Sequence, residues 1–103
     1  MHRIHNFMTK DLVSIEILEK AMSITKEALC KAQMAEQDRA RLKEADDFLD
    51  MANRYFCDAQ HFQKKGDYIL AYGAVHYAHA WLDAGARIGL FIVKDSRLFT
   101  VDD

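Results

Sequence analysis

Residues 64–91 read KKGDYILAYGAVHYAHAWLDAGARIGLF, and the assignment of this run decides the fold. Small residues recur at helical spacing among five aromatics and two histidines, with little charge. The run has three readings: a cofactor box, a membrane span, or a packed helix of a small helical protein. Lys64 and Lys65 suit the C-terminal dipole of a preceding helix, Gly66 can take a left-handed cap, and Asp67 can cap the helix that follows. The Gly66-Asp67 pair is then a tight joint between two antiparallel helices and not a phosphate-binding loop. Plotted at 100° per residue, Ala71, Ala74, Val75, Ala78, Leu82, Gly85 and Gly89 fall on one stripe, with Leu70, Tyr77, Trp81 and Ile88 on its shoulder. Glycine inside a helix costs up to about 1 kcal/mol, so Gly85 and Gly89 are read as points of close packing. That makes the small residues packing features, and no cofactor is called for.

The membrane reading fails on charge. Residues 69–93 are long enough to span a bilayer, but Asp83 and Arg87 lie within them, and a central Asp or Arg costs roughly 2.5–3.5 kcal/mol on insertion scales. The alanines and glycines return little transfer energy, so a soluble helix is expected.

Working back from Gly66, no proline and no glycine interrupts a helical reading. Ala45, Phe48, Ala52, Tyr55, Ala59 and Phe62 repeat on a strict heptad flanked by Leu49 and Phe56, which predicts a helix over about 38–65. Residues 33–39 lose the apolar pattern and are assigned to a turn. Before them Ile15, Leu18, Met22, Thr25, Leu29 and Ala32 step by threes and fours beside Val13, Ile17, Ala21, Ile24 and Ala28, predicting a helix over about 10–33 capped by Thr9 or Asp11. The third helix covers about 67–90. Residues 1–9 are expected to be a polar, flexible lead-in without the apolar core of a signal peptide, and His2 and His5 to be solvent-facing.

At 103 residues, half of them hydrophobic and 29% charged, the chain fits one folded domain. A formal net charge of −2 gives no general pull toward nucleic acid or acidic lipid. Two cysteines, Cys30 and Cys57, without a CxxC spacing are read as reduced, semi-buried thiols of a cytoplasmic protein.

One face of the third helix is chemically distinct. Tyr72, His76, His79, Asp83 and Arg87 follow one another by steps of four, three, four and four, forming a polar ridge. Two imidazoles and a carboxylate one turn on are the donors that zinc or a redox metal takes, so His76, His79 and Asp83 are a candidate metal set that wants a further ligand, with Asp58 and His61 nearest. Arg54 and His61, seven apart, admit a hydrolytic, nuclease-like alternative. The favoured reading is a solvated or subunit-facing ridge with Asp83 and Arg87 as an ordinary i,i+4 pair.

The run FLDMANRYFCDAQHFQKKGDYILAYGAVHYAHAWLDAGARIGLF, with LFTV near the end, resembles a family of small archaeal proteins known as a domain of unknown function. The resemblance covers about residues 48–101 and is carried by GDY followed by AHAWLDAGARIGLF. It implies a compact three-helix fold and an archaeal, cytoplasmic origin, and brings no catalytic residues.

Residues 90–93 and 98–101 are short β-prone runs, so 91–103 read as a hairpin or an extended arm laid on the bundle. The expected protein is an all-α antiparallel three-helix bundle with a C-terminal arm. No catalysis is assignable, and the function read from it is an interaction module that self-associates, as a homodimer or with another protein partner. The apolar arm, lacking cover on three short helices, and the nearly uncharged third helix motivate that reading.

Overall fold

The structure of the protein, a computed structural model, describes residues 11–102. Three helices make up its regular structure: α1 (Ile15–Met34), α2 (Leu42–Lys64) and α3 (Tyr68–Arg87), with a 3-10 turn at Arg39–Arg41 leading into α2. The lead-in of residues 1–9, with Thr9, His2 and His5, lies outside the described residues.

Each helix begins and ends for a local chemical reason. The Ser14 hydroxyl, and not Asp11, caps α1, accepting from the Ile17 amide at 3.2 Å while Glu16 sits in the positive first turn. Asp38 does not open α2. Its carboxylate accepts from the Ala40 amide at 2.9 Å and so caps the 3-10 turn, and α2 starts at Leu42. At the other end of α2, Gly66 adopts φ 78°, and the amides of Gly66 and Asp67 donate to the carbonyls of Gln63 and Phe62, both at 3.0 Å. These two bonds close a Schellman motif. Asp67 then accepts from the Leu70 amide at 3.1 Å and starts α3.

The same motif ends α3 earlier than residue 90. Gly89 has φ 76°, its amide donates to Ala86, and that of Leu90 donates to Gly85 at 2.8 Å. Gly89 is therefore a helix stop and not a packing contact: a Cβ there would meet only Arg41 Nη2, at an ordinary 3.6 Å, so the backbone angle is what favours glycine. Gly85 does serve close packing. The buried Phe91 ring lies directly over it, where a Cβ would come 2.7 Å from the ring's Cε1.

α3 is the central helix, packing most extensively on α2 and next on α1, while α1 and α2 touch least. Phe48 meets Trp81 edge-on at 5.0 Å and Tyr55 meets Tyr77 at 4.4 Å, so residue numbers on α2 and α3 run in opposite order. The heptad of α2 supplies the buried Ala45, Ala52 and Ala59, with Leu49 and Phe56 filling the core beside them.

The segment after α3 departs from the hairpin expectation. It forms no hairpin; no strand occurs among the described residues, and a single bridge joins Phe91 to Gln37 in the α1–α2 connection. Backbone bonds from Asp38 to Leu90 (2.9 Å) and from Ile92 to Glu36 (2.8 Å) flank it. Leu90, Phe91, Leu98 and Phe99 are all buried within the chain, and among the large apolar side chains of the segment only Ile92 is more than half exposed. The arm finds cover because Gly85 opens a seat for Phe91, so it supplies no reason for self-association. Cys30 and Cys57 are free, and both are exposed instead of semi-buried.

Candidate functional site

The ridge of α3 divides into two halves with different chemistry. Its N-terminal half, Tyr72 and His76, stacks edge-on at 4.4 Å beside α1, with His76 exposed. Its C-terminal half is turned onto the segment that follows the helix.

His79 sits where α1, α3 and the C-terminal segment meet. Its Nε2 lies 2.7 Å from the Leu98 carbonyl oxygen and its Nδ1 lies 2.9 Å from the Thr25 hydroxyl. A carbonyl can only accept, so Nε2 carries the proton, and in the neutral ring Nδ1 accepts from Thr25. Thr25 is buried, and this bond satisfies its hydroxyl inside the core. One turn on, Asp83 accepts from the Thr100 amide at 2.8 Å and from its hydroxyl at 3.1 Å. His79 and Asp83 thus latch residues 98–100 onto α3.

Two ion-pair systems extend the latch to α1. Arg97 donates through both terminal nitrogens to Glu27, at 3.2 and 2.6 Å, and Lys31 donates to Asp95 at 2.9 Å. The hydrogen bond from Arg97 holds the Glu27 carboxyl below the usual carboxylate range, and that from Lys31 does the same for Asp95. Glu27 in turn raises the Arg97 guanidinium above its ordinary value. In the α1–α2 connection the backbone bond from Ala40, followed by the Arg41 side chain, lowers Asp38. Arg41 also donates to the Ile88 carbonyl at 2.7 Å, tying the entry of α2 to the exit of α3.

This geometry bears on each sequence-derived site residue. Both ring nitrogens of His79 face protein partners, so a metal reaches that residue only by displacing Leu98 or Thr25. Among the described residues no group of three or more His, Cys, Asp or Glu side chains could hold a metal ion. Asp83 makes its close contacts with Thr100, and its oxygen stands 3.8 Å from His79 Nε2. Arg87 is exposed at the end of α3 beside the cleft formed with residues 96–102. Arg54 pairs with Asp50 at 2.9 Å on the surface of α2, and His61 is exposed against Phe62, so the two are not brought to a cleft. Thr25 and Thr100 are the partners that sequence reasoning missed; no local signal marks them, because each meets its counterpart from a distant part of the chain or through a loop.

The solvent-exposed side of α3 is different again, bordered on one flank by Tyr77 where it packs on Tyr55 of α2. Ile69 (75% exposed), Leu70, Tyr77 and Ile88 stand on it with the exposed Gly73, Ala80 and Ala84 between them. None of the exposed residues of α3 between positions 69 and 86 is Asp, Glu, Lys or Arg.

The profile of a protein family described as Protein of unknown function (DUF357) matches residues 20–91. The chain belongs to this family. The DUF357 match takes in most of α1, all of α2 and α3, and Phe91 with its seat at Gly85, and it ends before the latch residues 95–100. LFTV, part of the resemblance read from the sequence, lies outside it. No curated protein and no solved structure matches the chain. No helix of the described residues is long and apolar enough to cross a membrane.

Proposed function

We propose that the protein is a helical interaction module, not an enzyme, and that it associates with a second copy of itself through the outward face of α3. The observation that supports this is the face just described, about 28 Å long from Ile69 to Ile88 at 1.5 Å per residue, with no exposed Asp, Glu, Lys or Arg before Arg87 at its C-terminal end. A helix with so little charge over its solvent side normally lies at an interface. The spacing of large and small residues suits a two-fold partner. An axis midway along the face sets Ile69 against Ile88, Gly73 against Ala84 and Tyr77 against Ala80, so that bulk meets a gap at the centre. A self-contact of this kind brings no like charges together.

An archaeal, cytoplasmic setting is part of this reading, and two exposed, unpaired thiols accord with a reducing compartment. Light scattering at micromolar concentration should give a dimer mass. Ala80→Glu, which places a carboxylate at the axis on an exposed position, should give the monomer mass with unchanged helical circular dichroism. A monomeric parent protein would refute self-association, and a dimeric variant would move the contact away from α3.

A further inference from the structure

We infer that the groove between α1 and α3 binds a small apolar monocarboxylate, a ligand site separate from the self-association face. Ile17, Ala21 and Ile24 of α1 and Tyr72 of α3 form its apolar walls, and its volume is about 430 Å³. That lies within the range of small-molecule sites, roughly 300–1,000 Å³. The floor is dry in character: Thr25 and His79 line it, but they have already satisfied one another at 2.9 Å. From Ile17 to Ile24 the α1 wall runs about 10 Å, room for a short alkyl chain lying along the helix.

Charge selects the head group. Lys20 and His76 stand at the rim, and no carboxylate lines the groove. Lys20 is exposed and takes part in no ion pair among the described residues. An apolar trough with a free ammonium on its edge and no acid inside complements an anion with an apolar tail, whereas it offers a cationic ligand nothing. The carboxylate would accept from Lys20 Nζ, with the His76 ring as a second donor, while the tail covers Ile17, which is 46% exposed in the free protein, and the half-buried Ile24 beside it.

The experiment is a calorimetric titration of the whole protein with octanoate, beside 1-octanol, Lys20→Glu and Ala80→Glu. Saturable binding of one octanoate per chain is expected, with 1-octanol and Lys20→Glu each weaker by roughly tenfold, the size of one charge-assisted contact. Ala80→Glu alters the outward face of α3 and leaves the groove untouched, so it should bind octanoate as the parent does, whatever its mass in solution. The absence of saturable binding up to millimolar octanoate, or equal binding of acid and alcohol, would overturn the site. Loss of binding in Ala80→Glu would assign the groove to a second copy of the chain and overturn it equally.

Discussion

A methyl group on Gly85 has nowhere to go, because the Phe91 ring occupies the space a Cβ would take and is itself fully buried. Overpacking of this kind costs about 1–3 kcal/mol, and the gain in helix propensity on replacing glycine returns up to about 1 kcal/mol. Gly85→Ala should therefore lower stability by about 1–2 kcal/mol in chemical denaturation, and the same change should become nearly neutral in a Phe91→Leu background; a neutral effect in the parent would show that the ring is free to move. Reading the sequence alone, Gly85 and Gly89 look alike, four apart on one stripe. The difference between them is a backbone angle and a long-range neighbour, neither of which helical spacing encodes. The histidines show the same limit: the step from His76 to His79 is visible, but the partners that separate them, Thr25 and Leu98, come from other parts of the chain.

Among the elements, the α2–α3 pair was the most legible, since the heptad of α2 and the Gly66-Asp67 joint both lie in continuous sequence. Its shoulder carries a testable tension. Trp81 packs edge-on against Phe48 and, at 6.2 Å, against Tyr77, but its Nε1 is buried without a hydrogen-bond partner among the described residues. Trp81→Ala should cost about 3 kcal/mol through lost packing. Trp81→Phe should cost far less, because it removes a stranded donor whose burial costs about 1–3 kcal/mol. Equal losses in the two variants, read by thermal unfolding, would mean that the indole nitrogen is satisfied in solution. The attachment of the C-terminal segment to α1 was hidden from sequence reasoning, since the pairing of Glu27 with Arg97 spans 70 residues. Its carboxylates set a pH dependence. Glu27 and Asp95 have folded-state pKa values below their unfolded ones, so their contribution is complete above the ordinary carboxylate range of about 4 and is lost as pH falls through the folded values. Stability should decline on acidification below about pH 5, more gently in Asp95→Asn than in the parent and more gently for both at high salt. A parent and variant with parallel acid profiles would show that the pairs contribute nothing measurable.

At the scale of the whole molecule, α1 is joined to α3 and to the C-terminal segment by contacts that span much of the chain, whereas α2 and α3 meet across a turn of three residues. Closing a long loop costs more entropy than closing a short one, and it must be met before distant contacts can reward it. The helical hairpin of α2 and α3 is thus the unit that can assemble first, with α1 and the C-terminal segment closing over it late and opening early as a pair. Amide hydrogen exchange should show it directly: slow exchange through the middle of α2 and α3, and a shared, faster opening for α1 and the amides of Leu98 and Thr100. A protein whose first and last segments come away together exposes the seat of Phe91 and the walls of the α1–α3 groove in one event, so a ligand lodged in that groove would slow the fraying of a tail it never touches.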